Sequence, residues 1–99
     1  MDTAHSMLEY LKDYHGTETT AVKGRELRSL FNLTDKQVRN VVSQLRQEGA
    51  PVCSSSYGYW YSTEPDDIEK TLHRLEAQVV NMNISIKGLR KALTGGKGQ

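Results

Sequence analysis

The sequence predicts a mainly α-helical protein with one small β-hairpin, an α+β fold that ends in a long helix. Apolar residues recur at helical spacing in three N-terminal segments, and two short β-prone runs then flank a turn. The last third of the chain carries an unbroken heptad pattern. The 99 residues suit one small domain. We expect a head over residues 1–62, a helix over 63–93 and a flexible tail over 94–99.

The first two helices follow from apolar spacing and from the residues that interrupt it. Met7, Leu8, Leu11 and Tyr14 form one stripe, which predicts a helix from Thr3 to about Tyr14. The β-prone run 19–22 predicts an isolated strand. A second helix is expected from about Gly24 to Phe31, and Asn32 interrupts it.

The third helix has the strongest local signal in the chain. Thr34 and Gln37 form a capping box, in which each side chain accepts a hydrogen bond from the other residue's free backbone N–H. The helix is expected to end at Glu48–Gly49, because glycine suits the left-handed position after a helix. About three residues separate it from the second helix, the spacing of a helix-turn-helix.

The hairpin and the final helix complete the order of elements. Strands are expected over 51–54 and 59–62, with Gly58 supplying a positive φ in the turn. Three adjacent aromatic residues, 59–61, alternate between the two faces of a strand, so Trp60 or its two tyrosine neighbours should cover the core. Three helices followed by a hairpin give the order of a winged helix-turn-helix. Thr63 as a hydroxyl cap and Pro65 in the first turn predict the start of the final helix.

Composition excludes several classes of protein. Thirteen Lys and Arg against twelve Asp and Glu leave a net charge of +1, so there is no polybasic or acidic tail. One cysteine excludes a disulfide scaffold and a cysteine-based zinc site. Neither a signal peptide nor a run of about 18 apolar residues is present, which predicts a cytoplasmic protein with no membrane partner.

The chain also lacks the usual signatures of catalysis. The three histidines share no ligand spacing with one another or with Cys53, and there is no glycine-rich phosphate loop or nucleophile elbow. We therefore expect no enzymatic activity, no cofactor and no metal.

Positive charge is concentrated in the middle of the chain. Residues 19–49 carry six Lys and Arg against three Asp and Glu, a net charge of +3 that the whole-chain value conceals. On a helical wheel, Val38, Val41, Val42 and Leu45 face the core, and the opposite face carries polar groups able to bind base edges. That face comprises Lys36, Arg39, Asn40, Ser43, Gln47 and, beside them, Gln44.

Other residues are candidates for contacts with phosphate groups. Lys23, Arg25 and Arg28 lie at or near the start of the second helix, which crosses the DNA backbone in this fold. Arg28 is equally compatible with a solvated helix charge. Ser55 and Tyr57 at the hairpin tip offer hydroxyl groups, but the tip has no Lys or Arg, which predicts a modest contribution.

The heptad pattern of the last helix predicts a dimer. Apolar residues are spaced alternately four and three apart, at Ile68, Leu72, Leu75, Val79, Met82, Ile86, Leu89 and Leu93. The helix is longer than the head is wide, so its second half needs a partner, most simply a second copy. The relative direction of the two paired helices stays open. Acids at one end of the helix and Arg90 and Lys91 at the other favour an antiparallel pair. A thinner stripe, Ala77, Val80, Ile84 and Gly88, lies on the far side.

Three stretches of this sequence carry a resemblance: 33–40, 45–54 and 58–60. They resemble winged-helix domains of the biotin-repressor-like type, and the chain is most similar to small helix-turn-helix proteins of phages and prophages of Gram-positive bacteria. The similarity covers about residues 3–93. It implies a DNA-binding regulatory or accessory protein, whose third-helix positions correspond to Lys36, Gln37, Arg39, Asn40 and Ser43. No biotin-ligase domain follows, so that activity is not implied.

Two functions therefore remain open from the sequence. The first is sequence-specific binding of double-stranded DNA by a homodimer. The alternative is a protein-interaction adaptor that keeps the fold, binds no DNA, and uses the long helix with its Val80 and Ile84 stripe.

Overall fold

The protein consists of a small head and a long C-terminal helix. The structure, a computed structural model, describes the backbone of residues 2–98 and the side chains of residues 2–95. Its helices are α1 (Thr3–Tyr14), α2 (Gly24–Phe31), α3 (Asp35–Gln47) and α4 (Pro65–Gly98), and its strands are β1 (Val52–Ser55) and β2 (Gly58–Tyr61). The predicted α+β fold class is confirmed, with three helices, a hairpin and a long helix in that order.

The ends of the first three helices follow from local chemistry. The Oδ1 atom of Asp2 accepts a hydrogen bond from the N–H of Ala4 and caps α1. Asn32 adopts the left-handed conformation, φ 54°, and ends α2. The predicted capping box of α3 is confirmed: the N–H of Thr34 donates to Gln37 Oε1 at 2.8 Å, and the N–H of Gln37 donates to Thr34 Oγ1 at 3.1 Å. Gly49 follows α3 with φ 90°.

The segment between α1 and α2 differs from the expected isolated strand. Glu18–Thr20 forms a 3₁₀ turn, and only Val22 pairs with the sheet, in a single bridge to Tyr59. The hydroxyl groups of Thr17 and Thr20 cap this turn reciprocally. Local side-chain hydrogen bonds therefore override the β propensity of the threonines.

The hairpin is antiparallel, with Val52 opposite Tyr61 and Cys53 opposite Trp60. Both strands are displaced by one residue from the expected ranges. Gly58 has φ 127°, and a Cβ atom there would lie 2.3 Å from the carbonyl oxygen of Val22. Glycine is therefore required both for the turn and for the close approach of the backbone that joins the hairpin to the start of α2.

The head has one core, to which α1, α2, α3, the hairpin and Val22 contribute buried apolar side chains. The expected core residues of α3, Val38, Val42 and Leu45, are each 2% exposed, whereas Val41 is half-buried. Trp60 is buried, and the two tyrosines beside it pack half-buried against the core. The buried apolar residues are Ala4, Met7, Leu11, Val22, Leu27, Val38, Val42, Leu45, Val52, Cys53 and Trp60.

Helix α4 is joined to the head through its first turns. Pro65 is its first residue, so Glu64 and not Thr63 directly precedes the helix, and the Glu64 carbonyl accepts the first helical hydrogen bond, from Ile68. The Thr63 hydroxyl makes no hydrogen bond with any residue from 2 to 95, so the predicted cap is not formed. Thr71 is buried against β1, where its Oγ1 atom accepts a hydrogen bond from Ser54 N at 3.2 Å. The indole Nε1–H of Trp60 donates to Asp67 at 3.3 Å.

Beyond these contacts α4 extends away from the head. Its 34 residues correspond to about 51 Å of helix, and the molecule measures 58 Å along its longest axis. Within residues 2–98, no helix is long and apolar enough to cross a membrane.

The C-terminal end of α4 also differs from the expectation. The helix continues past Leu93 to Gly98 through most of the expected flexible tail, and Gln99 lies outside the described residues. The hydroxyl group of Thr94 donates to the carbonyl oxygens of Arg90 and Lys91. No proline follows Leu93, and glycine lowers helix propensity by only about 1 kcal/mol per residue, so nothing in the sequence forces the helix to stop.

Candidate nucleic-acid interface

The exposed face of α3 presents the predicted base-contacting side chains together. Burial of Val38, Val42 and Leu45 fixes the opposite face in the core. The structure exposes all six side chains that the helical wheel placed on this face, namely Lys36, Arg39, Asn40, Ser43, Gln44 and Gln47. Gln37, which the resemblance added, is exposed as well.

Three of these side chains have no polar partner, and four are engaged locally. Gln37 belongs to the capping box, Gln44 Nε2 donates to Glu48 at 3.4 Å, and Gln47 Nε2 donates to Ser43 Oγ at 3.1 Å. The three whose polar groups make no side-chain hydrogen bond or salt bridge with any residue from 2 to 95 are Lys36, Arg39 and Asn40. A guanidinium and a carboxamide one residue apart are the groups that bind guanine and adenine edges in the major groove.

A basic cleft adjoins this face, between α3, the hairpin and the first turns of α4. Its volume is about 420 Å³. Four cationic side chains line it, namely Lys23, Arg39, Arg46 and Arg74, together with the hydroxyl groups of Ser54, Ser55 and Ser56. No Asp or Glu is among the lining residues. The cleft therefore concentrates positive charge beside the exposed face of α3.

Arg46 is the most deeply held cation of the cleft. Its Nε–H donates to the Val52 carbonyl at 2.8 Å, and its Nη2 donates to Ser54 Oγ at 3.0 Å. Burial lowers the pKa of the guanidinium, the nearby Tyr59 and Cys53 oppose that shift, and the positive charge of Arg74 lowers the pKa further. Arg46 and Arg74 thus line a cleft whose lining contains no Asp or Glu.

Lys23 connects the cleft to the hairpin tip. It occupies the N-cap position of α2, where it makes no side-chain cap, and its Nζ donates instead to the carbonyl of Ser56 at 2.7 Å. A cation at a helix N-terminus is unfavourable with respect to the helix dipole. The N–H groups of the first turn of α2 and a lysine thus present positive potential on the same side of the molecule.

The remaining predicted phosphate contacts lie elsewhere. Arg25 and Arg28 line a separate depression on α2 together with Tyr10 and Glu26, and neither lines the basic cleft. Arg28 Nε forms a salt bridge with Asp35 at 3.1 Å. Of these two cations, only Arg25 makes no salt bridge with any residue from 2 to 95.

The two predicted hairpin-tip residues are also separated. Ser55 lines the cleft, and its Oγ accepts a hydrogen bond from the backbone N–H of Tyr57 at 3.1 Å. Tyr57 is 63% exposed and lies in a shallow depression with Glu18 and Thr19, away from the cleft.

Arg46 and Arg74 are cleft residues that the sequence did not indicate. Arg46 follows the buried Leu45 and lies at the edge of the apolar stripe of α3, a position that favours a half-buried guanidinium over a solvated one. Nothing in the sequence around Arg74 distinguishes it from any other solvent-exposed charged residue of a long helix.

The seam of α4, defined as its heptad residues Ile68 to Leu93, is exposed along most of its length. Leu75 is half-buried, whereas Leu72, Val79, Met82, Ile86, Leu89 and Leu93 are 48–71% exposed. At its N-terminal end the seam borders an apolar groove against residues 49–53 of the head. These exposed apolar residues follow one another along one helix, whereas the exposed apolar residues of a typical monomer are scattered singly.

No protein-family profile, curated protein or solved structure shows a significant match to this chain. Among residues 2–98, no group of three His, Cys, Asp or Glu side chains is placed to hold a metal ion.

Proposed function

We propose that this chain binds double-stranded DNA sequence-specifically as a homodimer. The observation that carries the proposal is the exposed face of α3, on which Lys36, Arg39 and Asn40 make no side-chain hydrogen bond or salt bridge with other side chains of residues 2–95. The role is that of a transcriptional regulator or an accessory protein of DNA transactions, as the sequence resemblance to small phage and prophage proteins implies.

In this proposal α3 enters the major groove and reads bases with two residues. Arg39 binds guanine O6 and N7, and Asn40 binds adenine N6 and N7. Lys36, Arg25 and the cations of the basic cleft fix the position of the protein through phosphate groups, which carry no sequence information. The absence of acidic residues from the lining of the cleft supports this division.

The homodimer forms through the seam of α4. A helix with exposed Leu, Ile, Val and Met at heptad spacing is stable in water when a second helix covers it. All four acidic residues of α4 lie in its first half, and four of its six basic residues lie in its second half, so an antiparallel pair brings unlike charges together. In that pairing Glu69 lies opposite Arg90 of the partner subunit.

Selection of bound duplexes from random DNA, followed by affinity measurements, tests the base-reading role of α3. Arg39→Ala and Asn40→Ala are each expected to weaken binding to the selected site by about 1–3 kcal/mol and to relax specificity at one base pair. Lys12→Ala on the exposed side of α1 is the matched control and retains the wild-type affinity. If both α3 variants bind as tightly as the wild type, α3 is not the reading helix.

A second function is favoured by one observation on the far side of α4. Val80 and Ile84 are 56% and 62% exposed, outside the heptad seam. They form a stripe that suits a protein partner of an adaptor. If the chain is an adaptor, it does not retain DNA even at low salt. A partner protein then copurifies with the wild type and is lost in Val80→Asp. Salt-sensitive DNA binding by the purified wild type favours the first function.

A further inference from the structure

The basic cleft contains a pair of arginines that nothing in the described chain neutralises. Arg46 is half-buried and Arg74 is exposed, and both side chains line the cleft. Neither forms a salt bridge with an acid among residues 2–95. Removing the Arg46 guanidinium from water costs free energy, and an anion bound beside it offsets that cost.

The geometry of Arg46 also orients it toward the cleft. Its Nε and Nη2 groups are occupied by Val52 and Ser54. A guanidinium carries five N–H donors, so three of them remain for a ligand. Hydrogen bonds to the hairpin lock the side chain in place, and an ordered guanidinium loses little entropy when an anion binds.

Hydrogen-bond donors from other elements surround the same space. Ser54, Ser55 and Ser56 supply hydroxyl groups, and Lys23 has two further N–H donors after its bond to Ser56. The first turn of α2 begins at Gly24 in the wall of the cleft, with no side chain capping it. Placing a lysine at that N-cap opposes the helix dipole, and a bound anion reverses this penalty.

We infer that this cleft binds a phosphate group, held between Arg46 of α3 and Arg74 of α4. A phosphate offers several acceptor oxygens to the forked donors of two arginines, whereas a chloride ion cannot make paired hydrogen bonds. The volume of about 420 Å³ lies within the range of small-molecule sites, so the phosphate group can belong either to a DNA backbone or to a free phosphorylated ligand.

The site makes α4 part of the binding surface as well as of the proposed dimer. Arg74 directly precedes the seam residue Leu75, and Leu75 lines both the basic cleft and the apolar groove. A phosphate group bound between α3 and α4 would therefore tie the long helix to the head in one orientation.

The first experiment uses the full chain without DNA. Inorganic phosphate is titrated at constant ionic strength while the Nε–H resonances of the arginines are followed by NMR, with chloride as the reference salt. We expect saturable shifts at Arg46 and Arg74 with phosphate only, and an affinity at least about fivefold weaker in Arg74→Gln. Lys70→Gln, an equal loss of charge on the same helix outside the cleft, leaves the affinity unchanged.

Two further variants distinguish a loss of phosphate binding from a loss of the folded structure. Arg74→Lys keeps the charge and restores part of the affinity. Arg46→Lys keeps the charge but loses the forked donors, so it weakens phosphate binding while near-UV circular dichroism shows an intact head. Equal shifts with chloride, or equal losses in Arg74→Gln and Lys70→Gln, overturn the inference.

The second experiment identifies the source of the phosphate group, and only this arm rests on the proposed function. For a DNA phosphodiester, Arg74→Gln reduces the slope of log affinity against log salt by about 0.9, the contribution of one contact. Lys70→Gln does not change the slope. If the cleft binds phosphate but Arg74→Gln leaves the salt slope of DNA binding unchanged, the site is assigned to a free phosphorylated ligand. If the wild type binds no DNA, the proposed function fails while the phosphate titration still tests the cleft.

Discussion

Apolar side chains are buried in the head but exposed along the distal part of α4. In the head, Met7, Leu11 and Leu27 are fully buried by neighbours from several elements. Along α4 beyond Leu75, the large aliphatic side chains are 48–71% exposed. Apolar burial is the main source of folding free energy, so the head contains its own stabilising contacts and the distal helix does not.

This difference indicates which properties depend on a partner. Changes in the head should alter the stability of each subunit whatever its state of association. Changes on the seam should alter association and leave the fold of the head unchanged. Each of the following substitutions tests that division, beginning with the one of largest expected effect.

Leu11→Ala should produce the largest loss of stability. Leu11 is 0% exposed, and removing a fully buried leucine side chain costs about 2–5 kcal/mol through lost burial and the cavity left behind. Chemical denaturation followed by circular dichroism measures this change. Leu30→Ala, at a leucine that is 57% exposed, is the matched control and should change the free energy of unfolding by less than about 0.5 kcal/mol. Similar losses for both would mean that the head core is not the one described.

Met82→Asp should dissociate the proposed dimer without unfolding the head. A charge in the middle of the seam is buried if two helices pair there, and we expect it to weaken dimerisation by at least about 2 kcal/mol, or roughly 30-fold. Sedimentation equilibrium at about 10 μM, supplemented by near-UV circular dichroism of the head, measures both properties.

Asn81→Asp introduces the same charge on the adjacent residue outside the seam and should leave the dimer intact. A wild-type protein that sediments as a monomer at tens of micromolar would contradict the dimer itself. If Asn81→Asp dissociated the dimer as strongly as Met82→Asp, the seam would not be the interface.

Reversal of one charge pair should have a smaller effect, which reports the direction of the helices. In the antiparallel pair, Glu69→Arg places like charges opposite each other in two symmetric positions and weakens the dimer by about 1 kcal/mol. Adding Arg90→Glu restores the attraction. In a parallel pair the two residues lie at distant levels of the helices, so the single change has little effect and the double change restores nothing.

The sequence predicted the parts of the fold that depend on local signals. The apolar stripe and polar interruptions gave α1 and α2 at their observed bounds, and the capping box of Thr34 and Gln37 located the start of α3. The run 19–22 was misassigned as a strand because the hydroxyl bonds of Thr17 and Thr20 outweigh β propensity. The end of α4 was placed too early because no residue after Leu93 compels a stop.

The sequence predicted the residues of the candidate site only where they lie on a single helix. Arg39 and Asn40 could be assigned to a single exposed helix face from spacing alone. Arg46 and Arg74 lie on different helices, far apart in the sequence, and only the packing of α4 against β1 brings them to the same cleft. Arg28 illustrates the opposite error, because the sequence presents it as free to bind phosphate. In the structure it forms a salt bridge with Asp35 across the turn between α2 and α3.

The contact between Trp60 and Asp67 has a spectroscopic consequence. Trp60 is the single tryptophan of the chain, it is 3% exposed, and its indole N–H donates to a carboxylate in the first turns of α4. It lines neither the basic cleft nor the apolar groove. Indole emission shifts to longer wavelength when water reaches the ring. The intrinsic fluorescence of this protein therefore reports whether water reaches Trp60, and with it whether the first turns of α4 remain docked on the head.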